Sequence, residues 1–209
     1  MPSAATPDGI PVVAVVLAGG AGSRFTAADG EHKLDAVLPS TSTEPAESVI
    51  ERAVRHVTIA AIGRVVIVVG GWDPGPAVRA SLSTLNGKIV VNDAWREGQI
   101  TSVRVGLAAA SELGAVRVVI GLADQPFVSA DAWRTVAAEP GHICVATYGG
   151  RRGNPVALDR EVWDLLPETG DEGARALMRI RPDLVREVAC SGSPADIDTT
   201  EDLHRWQNN

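Results

Sequence analysis

Apolar residues arrive along this chain in short unbroken runs, separated by stretches with helical spacing. Val12–Leu17 is wholly apolar and mostly β-branched, the pattern of a strand buried on both faces of a parallel sheet. Arg64–Val69, Lys88–Val91, Val116–Leu122 and His142–Thr147 repeat it, and shorter strands are expected at Pro155–Leu158 and Leu184–Val188. Between them, Ser48–Ile62 places Val49, Ile50, Ala53, Val54, Val57 and Ala61 at helical intervals. Pro76–Leu85 predicts a short helix, and Ile100–Leu113 sets Val103, Leu107 and Ala110 on one helical face. Ser129 is placed to cap a helix running to about Ala138. Further helices are expected near Arg160–Leu165, Asp171–Ile180 and Thr200–Gln207. The polar segment after Leu38, PSTSTEPAE, and the Gly/Arg-rich Tyr148–Asn154 read as loops.

Strands alternating with helices predict an α/β fold, three-layered and Rossmann-like, with a mostly parallel central sheet. Ligands of such sheets bind beyond the carboxyl ends of the strands. The loops after Leu17, Val69 and Leu122 are therefore where function is sought.

Composition narrows the classes. The 209 residues suit a single domain over 12–209, preceded by a flexible tail at 1–11. A net charge of −7 and a pI near 5.1 argue against nucleic-acid and membrane-surface partners, so any anion site must be local. The N-terminal stretch lacks the basic and small-residue pattern of a signal, and no apolar run approaches about eighteen residues. Cys144 and Cys190 have no metal-like spacing, so a reduced, cytoplasmic setting is expected. The histidines show no zinc spacing, and no G-x-S-x-G marks a covalent nucleophile.

The segment after the first strand carries the clearest chemistry. Leu17, Ala18, Gly19, Gly20, Ala21, Gly22 and Ser23 form a loop nearly free of side chains, where backbone N–H groups can approach a ligand. Arg24 and, further on, Lys33 add two cations. Together they suit a strongly anionic ligand, most simply a nucleoside triphosphate; the plainer reading is a tight strand-to-helix turn with an incidental arginine. The loop is not a G-x-x-x-x-G-K-S/T phosphate loop. It also fails as a dinucleotide fingerprint, because Phe25 stands where the last glycine of G-x-G-x-x-G belongs.

Two aspartates stand out as metal ligands. Asp124 follows the Val116–Leu122 strand in GLADQP, on the ligand edge of the sheet. Asp198 lies in DIDT near the chain's end. Phosphoryl chemistry with Mg²⁺ needs one or two carboxylates, with water and phosphate oxygens completing the shell. Asp124 could instead form a turn before Pro126, and Asp198 could cap the terminal helix, with Thr199 and Thr200 as competitors.

The LAGG-x-x-SR…K arrangement resembles the nucleotidyltransferases that finish the molybdenum cofactor, its cytidylyltransferases and guanylyltransferases. In order along nearly the whole chain, DQP at 124–126 and IDTTEDL at 197–203 are similar to the family's D-x-P and I-D-T-P-E-D-L. NDAWREGQITS at 92–102 resembles its N-x-x-W-x-x-G-x-x-x-S, GNPV at 153–156 its G-H-P-V, and GDEGAR at 170–175 its G-D-x-G-A-R. The resemblance implies a nucleotidyltransferase fold. It also implies Arg24 and Lys33 on the β- and γ-phosphates, and Mg²⁺ on Asp124 and Asp198. The nucleotide would be bound by residues 17–24 with Lys33, Gly70, Asn92, Gly98 and Ser102; Asn154, Pro155, Gly170, Asp171, Gly173 and Arg175 would line the acceptor pocket. Two departures are plain: residues 25–32 lengthen the segment between Arg24 and Lys33, and Asn154 replaces the family's histidine.

The implied reaction transfers CMP from CTP, or GMP from GTP, to the phosphate of a molybdopterin-type acceptor, with a molybdenum hydroxylase apoenzyme as a further partner. LAGG is the GTP form in the family, while the DQP, GDEGAR and IDTTEDL stretches look more like the cytidylyltransferases, and the balance leans to CTP. Three other readings stay open: transfer to a sugar phosphate or other small phosphorylated acceptor, a non-catalytic nucleotide- or cofactor-binding chaperone, and, more distantly, a dinucleotide-dependent oxidoreductase.

Overall fold

The structure, a computed structural model, describes residues 11–20, 25, 32–41, 44–84 and 87–207. In chain order the elements are β1 (Val12–Ala18), β2 (Val37–Leu38), β3 (Glu47–Ser48), α1 (Val49–Ala60), β4 (Arg64–Val69), α2 (Pro76–Thr84) and β5 (Gly87–Val91). They continue with α3 (Gln99–Glu112), β6 (Arg117–Leu122), α4 (Ala130–Ala138), β7 (Ile143–Tyr148), β8 (Arg151–Asp159), α5 (Ala174–Ile180), β9 (Val185–Ala189) and α6 (Thr200–Gln207). Short 3₁₀ segments lie at Trp95–Glu97, Arg160–Leu165 and Pro182–Leu184.

β1 is buried along its whole length because it is an interior strand, flanked by β4 and β6 and covered on both faces. Its side chains alternate between two cores, as a strand's must. Ala14 and Val16 face α1 and α4 with Ile50, Val54, Val57 and Trp133. Val13, Val15 and Leu17 face α3 and α5 with Val103, Leu107, Ala110 and Leu177. Each fully buried Val or Leu contributes roughly 1.5–3 kcal/mol, which is why both layers stay attached to one strand.

The sheet runs β5-β4-β1-β6-β8-β7-β9. β1 pairs parallel with β4 and β6, β4 with β5, and β7 with β9; β8 runs antiparallel to both β6 and β7. The expected three-layer, mostly parallel α/β architecture is therefore present.

Three local expectations are corrected. Tyr148–Asn154 is a hairpin rather than a loop: β8 begins at Arg151, and Gly149 and Gly150 make the turn at φ 57° and 79°, a region that side chains disfavour. Arg160–Leu165 winds as a 3₁₀ turn, and the helix expected from Asp171 begins at Ala174, so Asp171 does not cap it.

The polar segment after Leu38 is also more than surface loop. Glu47–Ser48 pairs with Val37–Leu38, and Ser48 with Glu51 closes a capping box on α1. Arg52, only 2% exposed, is held by Glu47 at 2.9 Å, Glu44 at 3.2 Å and the carbonyls of Pro39 and Pro45.

Candidate functional site

The carboxyl ends of β1, β4 and β6 form one edge, tied by backbone bonds. Gly71 N–H donates to the Gly19 carbonyl at 3.1 Å, and Ala123 N–H to the Leu17 carbonyl at 3.0 Å. Gly70 is required by this closeness: a Cβ there would lie 2.6 Å from Trp95 Cβ and 2.8 Å from the Gly19 oxygen. Trp95 in turn carries the Arg96 guanidinium 4.2 Å above its ring.

Asp124 and Asp198 meet here, brought together by the backbone. Ile197 N–H donates to the Asp124 carbonyl at 2.9 Å, which lays the 196–198 segment beside β6's end. Asp198 is not the cap of α6. Thr199 takes that role: its Oγ1 accepts from Asp202 N–H at 3.1 Å, while Asp202 accepts from Thr199 N–H at 3.0 Å. The Asp198 carboxylate faces Lys33, whose Nζ donates to Asp198 Oδ1 at 2.9 Å and to Asp124 Oδ2 at 2.6 Å.

Burial alone would lower the Lys33 pKa, but the Asp124 and Asp198 carboxylates outweigh it and hold the ammonium above its ordinary 10.5. Asp196 is exposed as a residue, yet its carboxyl turns inward to accept from Gln125 Nε2 at 2.7 Å. Desolvation of that end, then the charges of Asp124 and Asp198, push its pKa up.

These carboxylates fit a divalent cation. Both Asp124 and Asp198 present oxygens to one point, the position of Lys33 Nζ, and the other oxygen of Asp124, Oδ1, is buried without a hydrogen-bond partner. No group of three or more His, Cys, Asp or Glu suited to a metal occurs among the described residues. Mg²⁺ needs no more than one or two carboxylates where phosphate and water complete the shell.

Two adjoining cavities open at this edge and share Leu17, Gln99 and Leu122. The smaller, about 380 Å³, reaches Gly19, Gly20, Trp95, Gly98, Ser102, Asp124 and Asp171. The larger, about 460 Å³, has an apolar floor of Val103, Ile120, Val145, Val156 and Met178, with Asn154, Arg152, Arg175 and Arg179 at its polar side. Both lie within the size range of small-molecule sites, about 300–1,000 Å³. The larger forms where β8 leaves β6, the ladder ending at Ile120–Val156.

The structure thus sorts the residues singled out in the sequence. Gly19, Gly20, Gly98, Ser102, Asp124 and Asp171 line the smaller cavity, and Asn154 and Arg175 the larger. Lys33 lies against the aspartates. Asn92 is committed inside the chain: its Nδ2 donates to Thr101 and Ser102 at 2.9 and 2.8 Å, and its Oδ1 accepts from Ala94 N–H at 3.1 Å, so it braces the loop. Gly70 acts through close packing, and Gly170 uses its carbonyl to accept from Ile100 N–H at 3.1 Å. Gly173 packs on Gln99, while Pro155, cis after Asn154, is buried in β8. Ala21, Gly22, Ser23 and Arg24 lie outside the described residues.

Sequence reasoning missed a polar chain that runs from Asn154 of the larger cavity to Asp196, beside the Asp124–Asp198 pair. Asn154 Nδ2 donates to Gln125 Oε1 at 3.0 Å, Gln125 reaches Asp196, and the Tyr148 hydroxyl donates to the Asn154 carbonyl at 2.7 Å. Gln125 is the middle residue of the DQP stretch, and its place beside Asp124 was the available signal. Arg152, exposed and bonded to Glu187 at 2.7 Å, also lines the larger cavity.

A Rossmann-like sheet with paired carboxylates and adjoining pockets at its carboxyl edge defines a nucleotidyltransferase-type architecture. Residues 14–188 match the MobA-like NTP transferase domain, and the chain belongs to that family. It is 31% identical over 207 residues to nicotine blue oxidoreductase of Paenarthrobacter nicotinovorans, covering 93% of this chain and 95% of that one. Among solved structures, a nucleotidyl transferase from Methanothermobacter thermautotroptrophicus superposes with a TM-score of 0.77 at 26% identity, over 95% of this chain and 96% of that one. Rv0371c from Mycobacterium tuberculosis H37Rv gives 0.76 at 28% identity, over 96% and 98%, and has also been solved in complex with manganese.

Proposed function

We propose that this chain is a Mg²⁺-dependent nucleotidyltransferase that transfers CMP from CTP, or GMP from GTP, to the phosphate of a molybdopterin-type acceptor. The observation that carries this reading is the convergence of Asp124 and Asp198 on one cationic point, with Asp124 lining the smaller of two adjoining cavities. The smaller cavity takes the nucleotide and the larger the acceptor, whose fused-ring body suits the apolar floor and whose phosphate suits Arg175.

An acceptor phosphate oxygen attacks the α-phosphorus in line; the new O–P bond forms as the bond to the β-phosphate oxygen breaks, and pyrophosphate leaves. No protein nucleophile is needed, because positioning and charge neutralisation supply the catalysis. Gly19 and Gly20 allow the backbone to approach the phosphates, with Arg24 and Lys33 as their cations. Asn154 is aimed by Gln125 and Tyr148 and orients the acceptor. Asp124 and Asp198 would hold Mg²⁺, which supplies charge neutralisation at the phosphates. Residues 12–209 act as one unit in the cytoplasm, and a molybdenum hydroxylase apoenzyme receives the product. No helix among the described residues is long and apolar enough to cross a membrane.

A second reading draws on the relative named an oxidoreductase, since it matches nearly the whole chain. Calorimetry with Mg²⁺ and CTP, GTP, ATP or NADH separates the two, followed by pyrophosphate release with a molybdopterin-type or a sugar-phosphate acceptor. Selective CTP or GTP binding and pyrophosphate release with the pterin support the proposal. Binding of NADH alone overturns it, and release with the sugar phosphate alone moves the acceptor to the other class.

A further inference from the structure

Lys33 is singled out from the sequence as a phosphate-binding cation, yet its ammonium is spent on the two aspartates. Nζ lies 2.6 Å from Asp124 and 2.9 Å from Asp198, and the side chain is 11% exposed. The two carboxylate oxygens it joins can be no further apart than those contacts allow. Without a cation they would repel each other in a partly desolvated place, with Asp196 adding a third carboxyl nearby. One ammonium cannot hold both carboxylates and neutralise a polyphosphate in the adjoining cavity at once. It also cannot share one point with a divalent ion, because like charges there are unfavourable.

We propose that Lys33 is the built-in counter-ion of the Asp124–Asp198 pair, and that its ammonium leaves the aspartates when a divalent cation arrives and turns to the nucleotide's polyphosphate. The inference rests on the reading of Asp124 and Asp198 as metal ligands. It makes Lys33 a positioning residue in the free protein and a phosphate contact in the complex. The nucleotide-free site is thereby kept assembled, and ordering of the phosphate-binding cation is tied to metal arrival.

The chain has only two lysines, Lys33 and Lys88, so the exchange can be watched directly. Lys88, 47% exposed and 3.1 Å from Glu112, serves as the internal reference. In the full chain labelled at the lysine ε-carbon, titration with Mg²⁺ in the absence of nucleotide is expected to move the Lys33 signal toward that of an exposed lysine, leaving Lys88 in place. A Lys33 signal unmoved at an Mg²⁺ level that saturates the site overturns the proposal.

Manganese binding provides the second measurement. Lys33→Met is expected to bind Mn²⁺ about tenfold more tightly than the unmodified chain, the order of effect expected from removing one like charge at close range. Equal or weaker binding overturns the exchange. Asp124→Asn distinguishes the two levels: if it binds Mn²⁺ as well as the unmodified chain, the metal-ligand reading itself fails. If Lys33→Met does not fold, the lysine spectrum of the unmodified chain decides alone.

Discussion

Lys33 and Asp124 are 91 positions apart in the chain and 2.6 Å apart in space. That contact, with the one to Asp198, has a consequence for alkaline stability. The two carboxylates hold the Lys33 pKa above 10.5 in spite of burial. A raised ammonium pKa adds stability that is fully present below the unfolded value and is lost as pH rises through the folded one. The stability difference between the unmodified chain and Lys33→Met should therefore stay level from neutral pH to about pH 10 and shrink above 10.5. Denaturant melts across that range measure it; a difference that grows with pH would contradict the assignment.

Asp124→Ala should separate chemistry from folding. The backbone carbonyl that accepts from Ile197 survives the substitution, and Lys33 keeps Asp198. Pyrophosphate release is expected to fall by at least about a hundredfold, with little change in Tm. Unchanged turnover in a folded variant removes the proposed mechanism.

Arg52→Ala should act on stability alone. The substitution strips Glu47, itself 11% exposed, of a buried partner and frees the carbonyls of Pro39 and Pro45. Breaking a buried pair in this way destabilises by about 3–5 kcal/mol. Chemical denaturation reads the loss, and a change below about 1 kcal/mol would show that Arg55 and His56 hold the segment by themselves.

Gly70→Ala tests the close packing behind the smaller cavity. The added methyl meets Trp95 and the Gly19 carbonyl, so both must shift. Nucleotide binding is expected to weaken roughly ten- to a hundredfold, the scale of a displacement near 1 Å. Calorimetry with the preferred nucleotide checks it.

Much of this was legible in the sequence because it rests on local signals. The buried runs of β1, β4 and β6 carry their own period, and the DQP and IDTTEDL stretches singled out Asp124 and Asp198, which the fold brings together at Lys33. What was not legible depends on distant partners. Whether Asp198 caps a helix or faces Lys33 is decided by Thr199 out-competing it, a choice between adjacent polar residues that spacing cannot make. Asn92 reads as a ligand contact by motif, yet its amide is used up by Thr101 and Ser102, side chains brought near only by the turn into α3. The Tyr148–Asn154 segment hides a strand because its glycines and arginines look like loop until Gly149 and Gly150 are seen to make a hairpin turn.

The antiparallel course of β8 has a consequence for how this protein can change over time. The four parallel strands β5, β4, β1 and β6 hold the smaller cavity and both aspartate-bearing loops are anchored to their edge. Arg152, Gly153 and Asn154 reach the larger cavity from the hairpin side, past the point where β8 stops pairing with β6. The hairpin tip can thus gain, lose or exchange residues without disturbing the ladder beneath the carboxylates. On the proposed assignment of the two cavities, preference for the acceptor can drift in a lineage while the chemistry at the nucleotide stays as it was.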